Sequence, residues 1–93
     1  MDQDAGAFVI GRGDQCNLVV RTPLASRIHA RIEYRHAQFI LVDESTNGTC
    51  VRPEGGEEIH LRRGELPLAG SGVISLGRPV SKETEDLIHF SCL

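Results

Sequence analysis

The stretch Ile28-His29-Ala30-Arg31-Ile32-Glu33-Tyr34-Arg35 decides the fold. Ile28, Ala30, Ile32 and Tyr34 alternate with His29, Arg31, Glu33 and Arg35, a period of two that marks a strand with one buried face. By this alternation His29 falls on the polar face. Downstream, Phe39-Ile40-Leu41-Val42 is a continuous apolar run, as in a strand covered on both sides. Arg35-His36-Ala37-Gln38 between them is short enough for a hairpin. Upstream, Ala7-Phe8-Val9-Ile10 ends at Gly11, and Leu18-Val19-Val20 ends at Thr22-Pro23. Further on come Thr49-Cys50-Val51, Ile59-His60-Leu61 and Val73-Ile74-Ser75-Leu76, the last introduced by the punctuating Gly70-Ser71-Gly72. Ile88, Phe90 and Cys92 alternate with His89 and Ser91. About eight short strands at this spacing predict an all-β sandwich. No segment has a helical period, and the polar residues 81–87 read as a loop.

Ninety-three residues suffice for one domain. Residues 1–6 read as a disordered N-terminal tail and residues 7–93 as the domain. Aromatic residues are few (Phe8, Phe39, Phe90 and Tyr34), so Ile, Leu and Val must fill the core. A net charge of −3 argues against a general nucleic-acid binder. The charge is uneven: Arg12, Arg21, Arg27, Arg31 and Arg35 face only Asp14 and Glu33 within residues 11–35, a local +3 on an acidic body. Cys16, Cys50 and Cys92 form no close pair. With no signal peptide, they indicate a reduced, cytoplasmic protein, with Cys50 and Cys92 as small core residues. No run is long enough to span a bilayer, which excludes a membrane helix.

Three polar segments stand at the ends of apolar runs: Gly11-Arg12, Ser26-Arg27-Ile28-His29 and Ser45-Thr46-Asn47-Gly48-Thr49. Each alone has an ordinary reading, as a surface arginine, a turn serine and a good turn sequence. Brought to one rim of a sandwich, they suit a phosphate dianion. Arg12 offers a permanently charged planar fork. Ser26 and Thr46 offer hydroxyl donors, and the Asn47 amide can pair with a peptide main chain. Gly11 and Gly48 supply permissive backbone.

These segments, in order and spacing, resemble the forkhead-associated (FHA) domain pattern, carried by Phe8-Val9-Ile10-Gly11-Arg12, Ser26-Arg27-Ile28-His29-Ala30-Arg31-Ile32 and Asp43-Glu44-Ser45-Thr46-Asn47-Gly48-Thr49. The resemblance implies an eleven-stranded β-sandwich of two antiparallel sheets whose loops at one end bind phosphothreonine peptides. It places phosphate contact on Arg12, Ser26 and Thr46, and peptide contact on Asn47 and Arg27. It gives His29 a bracing role and Ser45 a loop-stabilising one. Residues 55–79 resemble bacterial examples, some fused to class III adenylate cyclases. Two departures stand out. Glu44 fills a step where the family often has glycine, and should point away from an anion. Asn17 replaces a common Asp and should affect loop packing.

A Ser26–His29 hydrolase pair is disfavoured, because residues three apart on a strand face opposite ways and no acid completes a triad. The spacings of His29, His36, His60, His89 and the cysteines match no zinc pattern, so no metal or other cofactor is expected. The glycine-rich Gly11-Arg12-Gly13 lacks the lysine of a nucleotide loop. The sequence therefore predicts a non-enzymatic phosphopeptide-binding module, part of a larger multidomain chain, with no nucleic-acid or membrane partner. The alternative is a phosphate-independent interaction or self-association module that regulates a fused enzyme.

Overall fold

The computed structural model describes residues 7–80 and 87–92. The readings of residues 1–6 as a tail and of 81–86 as a loop lie outside them. The described residues form nine strands and no helix: β1 Phe8–Gly11, β2 Leu18–Val19, β3 Ala30–Arg35, β4 Gln38–Asp43, β5 Thr49–Pro53, β6 Ile59–Leu61, β7 Glu65–Leu68, β8 Gly70–Leu76 and β9 Ile88–Cys92. No helix among them is long and apolar enough to cross a membrane.

One sheet has the order β2-β1-β3-β4-β7 and the other β6-β5-β8-β9. Ile10, Ala30 and Leu41 from the first meet Val51, Ile74 and Leu76 from the second in one buried cluster, with Phe8, Ile32, Phe39 and Phe90 packed against it. The apolar alternation thus becomes the inner faces of a sandwich.

The β3–β4 hairpin closes through His36 (φ 52°) and Ala37 (φ 62°), the double left-handed geometry that matches the twist of two-residue hairpins. Ile40, Leu41, Val42 and Asp43 are all buried, as the continuous run predicts.

Several expectations are corrected. Nine strands, not eleven, are present among the described residues, and the sheets are not wholly antiparallel. β1 and β2 run parallel, pairing Ile10 with Leu18 and Gly11 with Val19. β7 was hidden by Pro67, which is accommodated because β7 is an edge strand paired only with β4. Gly70-Ser71-Gly72 is the start of β8, not a break before it. A Cβ at Gly72 would lie 2.6 Å from the Arg52 carbonyl and 2.9 Å from the Phe90 ring, so glycine is needed there for packing. Finally, β3 begins at Ala30, leaving Ile28 outside the sheet and 44% exposed.

Candidate functional site

Three loops meet at one end of the sandwich: the one after β1, the one before β3 and the one between β4 and β5. Backbone bonds join the first two. Arg12 N–H donates to the Ser26 carbonyl (2.9 Å), Gly13 N–H to the Arg27 carbonyl (3.0 Å) and His29 N–H to the Ile10 carbonyl (2.9 Å). Gly11 permits this contact by lacking a side chain, since a Cβ there would fall 2.3 Å from the Arg27 carbonyl oxygen. Its value is close approach, not the permissive backbone conformation expected of it. Asn17 anchors the same loop, exchanging two 2.8 Å hydrogen bonds with the Val9 main chain.

Ser26 is the junction. Its carbonyl holds the Arg12 amide, and its hydroxyl oxygen accepts from the Thr46 amide at 3.2 Å. The Ser26 hydroxyl proton stays available to another acceptor. Arg12 Nε donates to the Ala25 carbonyl (3.1 Å), which fixes the exposed guanidinium. Its other two nitrogens make no hydrogen bond among the described residues. The Thr46 hydroxyl is likewise without a protein partner among them, and Thr46 is exposed. Asn47 Nδ2 donates to the Leu24 carbonyl (3.0 Å), joining the third loop to the second and leaving its amide oxygen as an acceptor. Exposed Arg27 lines a surface hollow with Arg12 and Arg21; Arg21 is paired with Asp14. Arg31 and Arg35 do not join this field, because Glu33, Glu44 and Glu65 neutralise them along β3. Glu44 is thus held by Arg31, in keeping with an outward carboxylate.

His29 is fully buried, not on a polar strand face, because it precedes β3 and the third loop closes over it. Its Nδ1 accepts from Ser26 N–H (2.9 Å), and its Nε2 donates to the Gly48 carbonyl (2.8 Å). Desolvation lowers its pKa, outweighing the Gly48 bond and the Asp43 charge, so the ring is neutral with its proton on Nε2. Both nitrogens are engaged with main chain, and the Ser26 hydroxyl bonds Thr46 instead. No nucleophile–base pair forms.

Two residues escaped the sequence reading. Asp43, 2% exposed, accepts from the Ser45 hydroxyl (2.7 Å), the Thr49 hydroxyl (2.6 Å), the Ser45 amide (3.3 Å) and the Arg63 amide (2.8 Å). Ser45 in turn accepts from Gly48 N–H (2.8 Å), and Gly48 takes the left-handed φ of 89° that its turn needs. The clue was present as hydroxyl residues two and six positions after an aspartate. The other is Arg62, whose Nη2 donates to the Thr46 carbonyl (2.9 Å). No local motif marked it.

The three-loop rim, braced by a buried His and Asp, coincides with a match of residues 8–77 to the FHA domain family model. The chain belongs to the FHA domain family. Solved structures agree. The FhaA FHA domain, complexed with the intracellular domain of Rv3910, is 33% identical over 77% of this chain and 72% of its own, with a TM-score of 0.61. An FHA domain from a study of phosphothreonine-dependent interactions is 33% identical over 77% of this chain and 69% of its own, at 0.60. Mycobacterium tuberculosis EmbR, in complex with a low-affinity phosphopeptide, is 29% identical over 77% of this chain and 18% of its own, at 0.63. A comparison with the curated proteins finds no match.

Proposed function

We propose that this FHA domain recruits partners by binding phosphothreonine in an extended segment, through Arg12, Ser26 and Thr46, with Asn47 and Arg27 orienting the peptide. One observation carries the reading. Ser26 joins Arg12 through its carbonyl and Thr46 through its hydroxyl, while the guanidinium fork and both hydroxyl protons remain for an outside acceptor. A phosphothreonine supplies about −1.5 to −2 charges and three acceptor oxygens. None of the donors needs deprotonating, and the braced loops keep the ordering cost of binding low. The phosphothreonine-dependent interactions of one relative and the phosphopeptide bound to another support the same ligand.

The resemblance of residues 55–79 to bacterial examples beside class III adenylate cyclases supports a module within a larger multidomain, cytoplasmic chain. An array of peptides with threonine, phosphothreonine and phosphoserine tests the ligand. Binding should require phosphate and favour phosphothreonine, by about 0.8 kcal/mol for one buried methyl. Equal binding to unmodified peptides would instead establish a phosphate-independent interaction module.

A further inference from the structure

On the face of the second sheet turned from the core, β5 and β6 place Cys50 opposite His60. Their Sγ and Nδ1 are 3.4 Å apart. Glu58, two residues before His60, lies on the same side, with Oε2 3.1 Å from His60 Nε2 and Oε1 accepting from Val80 N–H at 3.1 Å. One sulfur, one imidazole nitrogen and one carboxylate oxygen all fall within 4.8 Å of one another. The strand on the other side of β5 adds Ser75, which pairs directly with Cys50 and shares its face. Ser75 is 1% exposed, and its hydroxyl has no hydrogen-bond partner among the described residues. A buried, unsatisfied hydroxyl is costly unless something else completes it.

We propose that Cys50, His60 and Glu58 form a zinc site that clamps β5 to β6, with Ser75 holding a water in the fourth position. Sulfur, imidazole and carboxylate are the donors zinc accepts, at bonds of about 2.0–2.3 Å, which set neighbouring tetrahedral ligands about 3.5 Å apart. The Cys50–His60 separation already has that value. The third bond requires the Glu58 carboxylate to turn from His60 Nε2 toward the sulfur side. Zinc binds the thiolate form of cysteine, so metal uptake releases the Cys50 proton. The clamp adjoins the rim in sequence, since Cys50 directly follows Thr49 at the start of β5 and His60 stands two residues before Arg62, just after β6.

Zinc and cobalt titration of the reduced full chain, after chelator treatment, tests the site. One equivalent should bind with proton release, and cobalt should show a thiolate charge-transfer band. His60→Ala should weaken affinity by about a hundredfold, and Cys50→Ser should remove the band, while Cys16→Ser and Cys92→Ser keep it. Zinc should raise the melting temperature of the native chain but not of His60→Ala. Absence of saturable binding, or equal affinity in His60→Ala, would overturn the proposal. Because His60 is exposed, its variant decides even if Cys50→Ser fails to fold.

Discussion

His29 Nε2 donates to the Gly48 carbonyl at 2.8 Å, and this bond fastens the β4–β5 loop to the loop before β3. The same ring accepts the Ser26 amide, so one buried side chain sets the spacing of two segments that carry candidate phosphate donors. His29→Ala removes both bonds and leaves a cavity. It should cost about 2–4 kcal/mol in urea denaturation, and phosphopeptide affinity should fall with it. A variant of native stability would show that the loops do not depend on the ring.

Stability should also fall in mild acid. His29 is held neutral by burial, with its folded pKa below the ordinary value. Above about pH 6.5 both folded and unfolded chains carry it neutral, and its contribution is complete. As pH drops below that value the unfolded chain takes up the proton first, so stability declines until the folded pKa is reached. Denaturation midpoints without peptide should decrease from pH 7 to 5, and the decrease should be smaller in His29→Ala. Peptide binding weakens over a similar range for a separate reason, since phosphate gains its second proton near pH 6.

The fold was legible because alternation is local. Ile32, Tyr34 and the Phe39–Val42 run each announce a strand from their own neighbours, and the hairpin between them follows. β7 was not legible, because its pairing with β4 is remote and Pro67 masks it. The polar rim residues could be named in sequence, but their joins could not. Arg12 meets Ser26, and Ser26 meets Thr46, only after the loops fold together. His29 was placed on the wrong face for the same reason, its burial being made by Gly48, distant in the chain. Cys50 and His60 match no zinc spacing, yet strand register sets them side by side.

Asp43 should be as necessary as His29. Asp43→Ala would strand the Ser45 and Thr49 hydroxyls and the Ser45 amide around the turn that carries Thr46 and Asn47, together with the Arg63 amide from the β6–β7 connection. The loss should be about 3 kcal/mol or more in equilibrium unfolding, since buried donors without acceptors keep most of their desolvation cost. Amide exchange at Ser45 and Arg63 should accelerate most. Uniform acceleration across all strands would mean that Asp43 supports the whole sandwich and not this turn in particular.

Arg12 offers the sharpest separation of binding from folding. Its side chain is exposed and makes one hydrogen bond, to the Ala25 carbonyl, so Arg12→Ala should shift unfolding by less than about 1 kcal/mol. Binding should suffer far more. Removing one half of a close charge pair costs about 2–5 kcal/mol, and titration with a phosphothreonine peptide should show a loss of that size. Arg12→Lys restores the charge but not the planar fork, so it should recover only part of the affinity. Salt sensitivity should drop in Arg12→Ala and return in Arg12→Lys, because screening acts on the charge that both arginine and lysine carry. If Arg12→Ala bound the peptide at native affinity, phosphate capture would have to rest on other exposed guanidinium groups bordering these loops, such as Arg27 or Arg62.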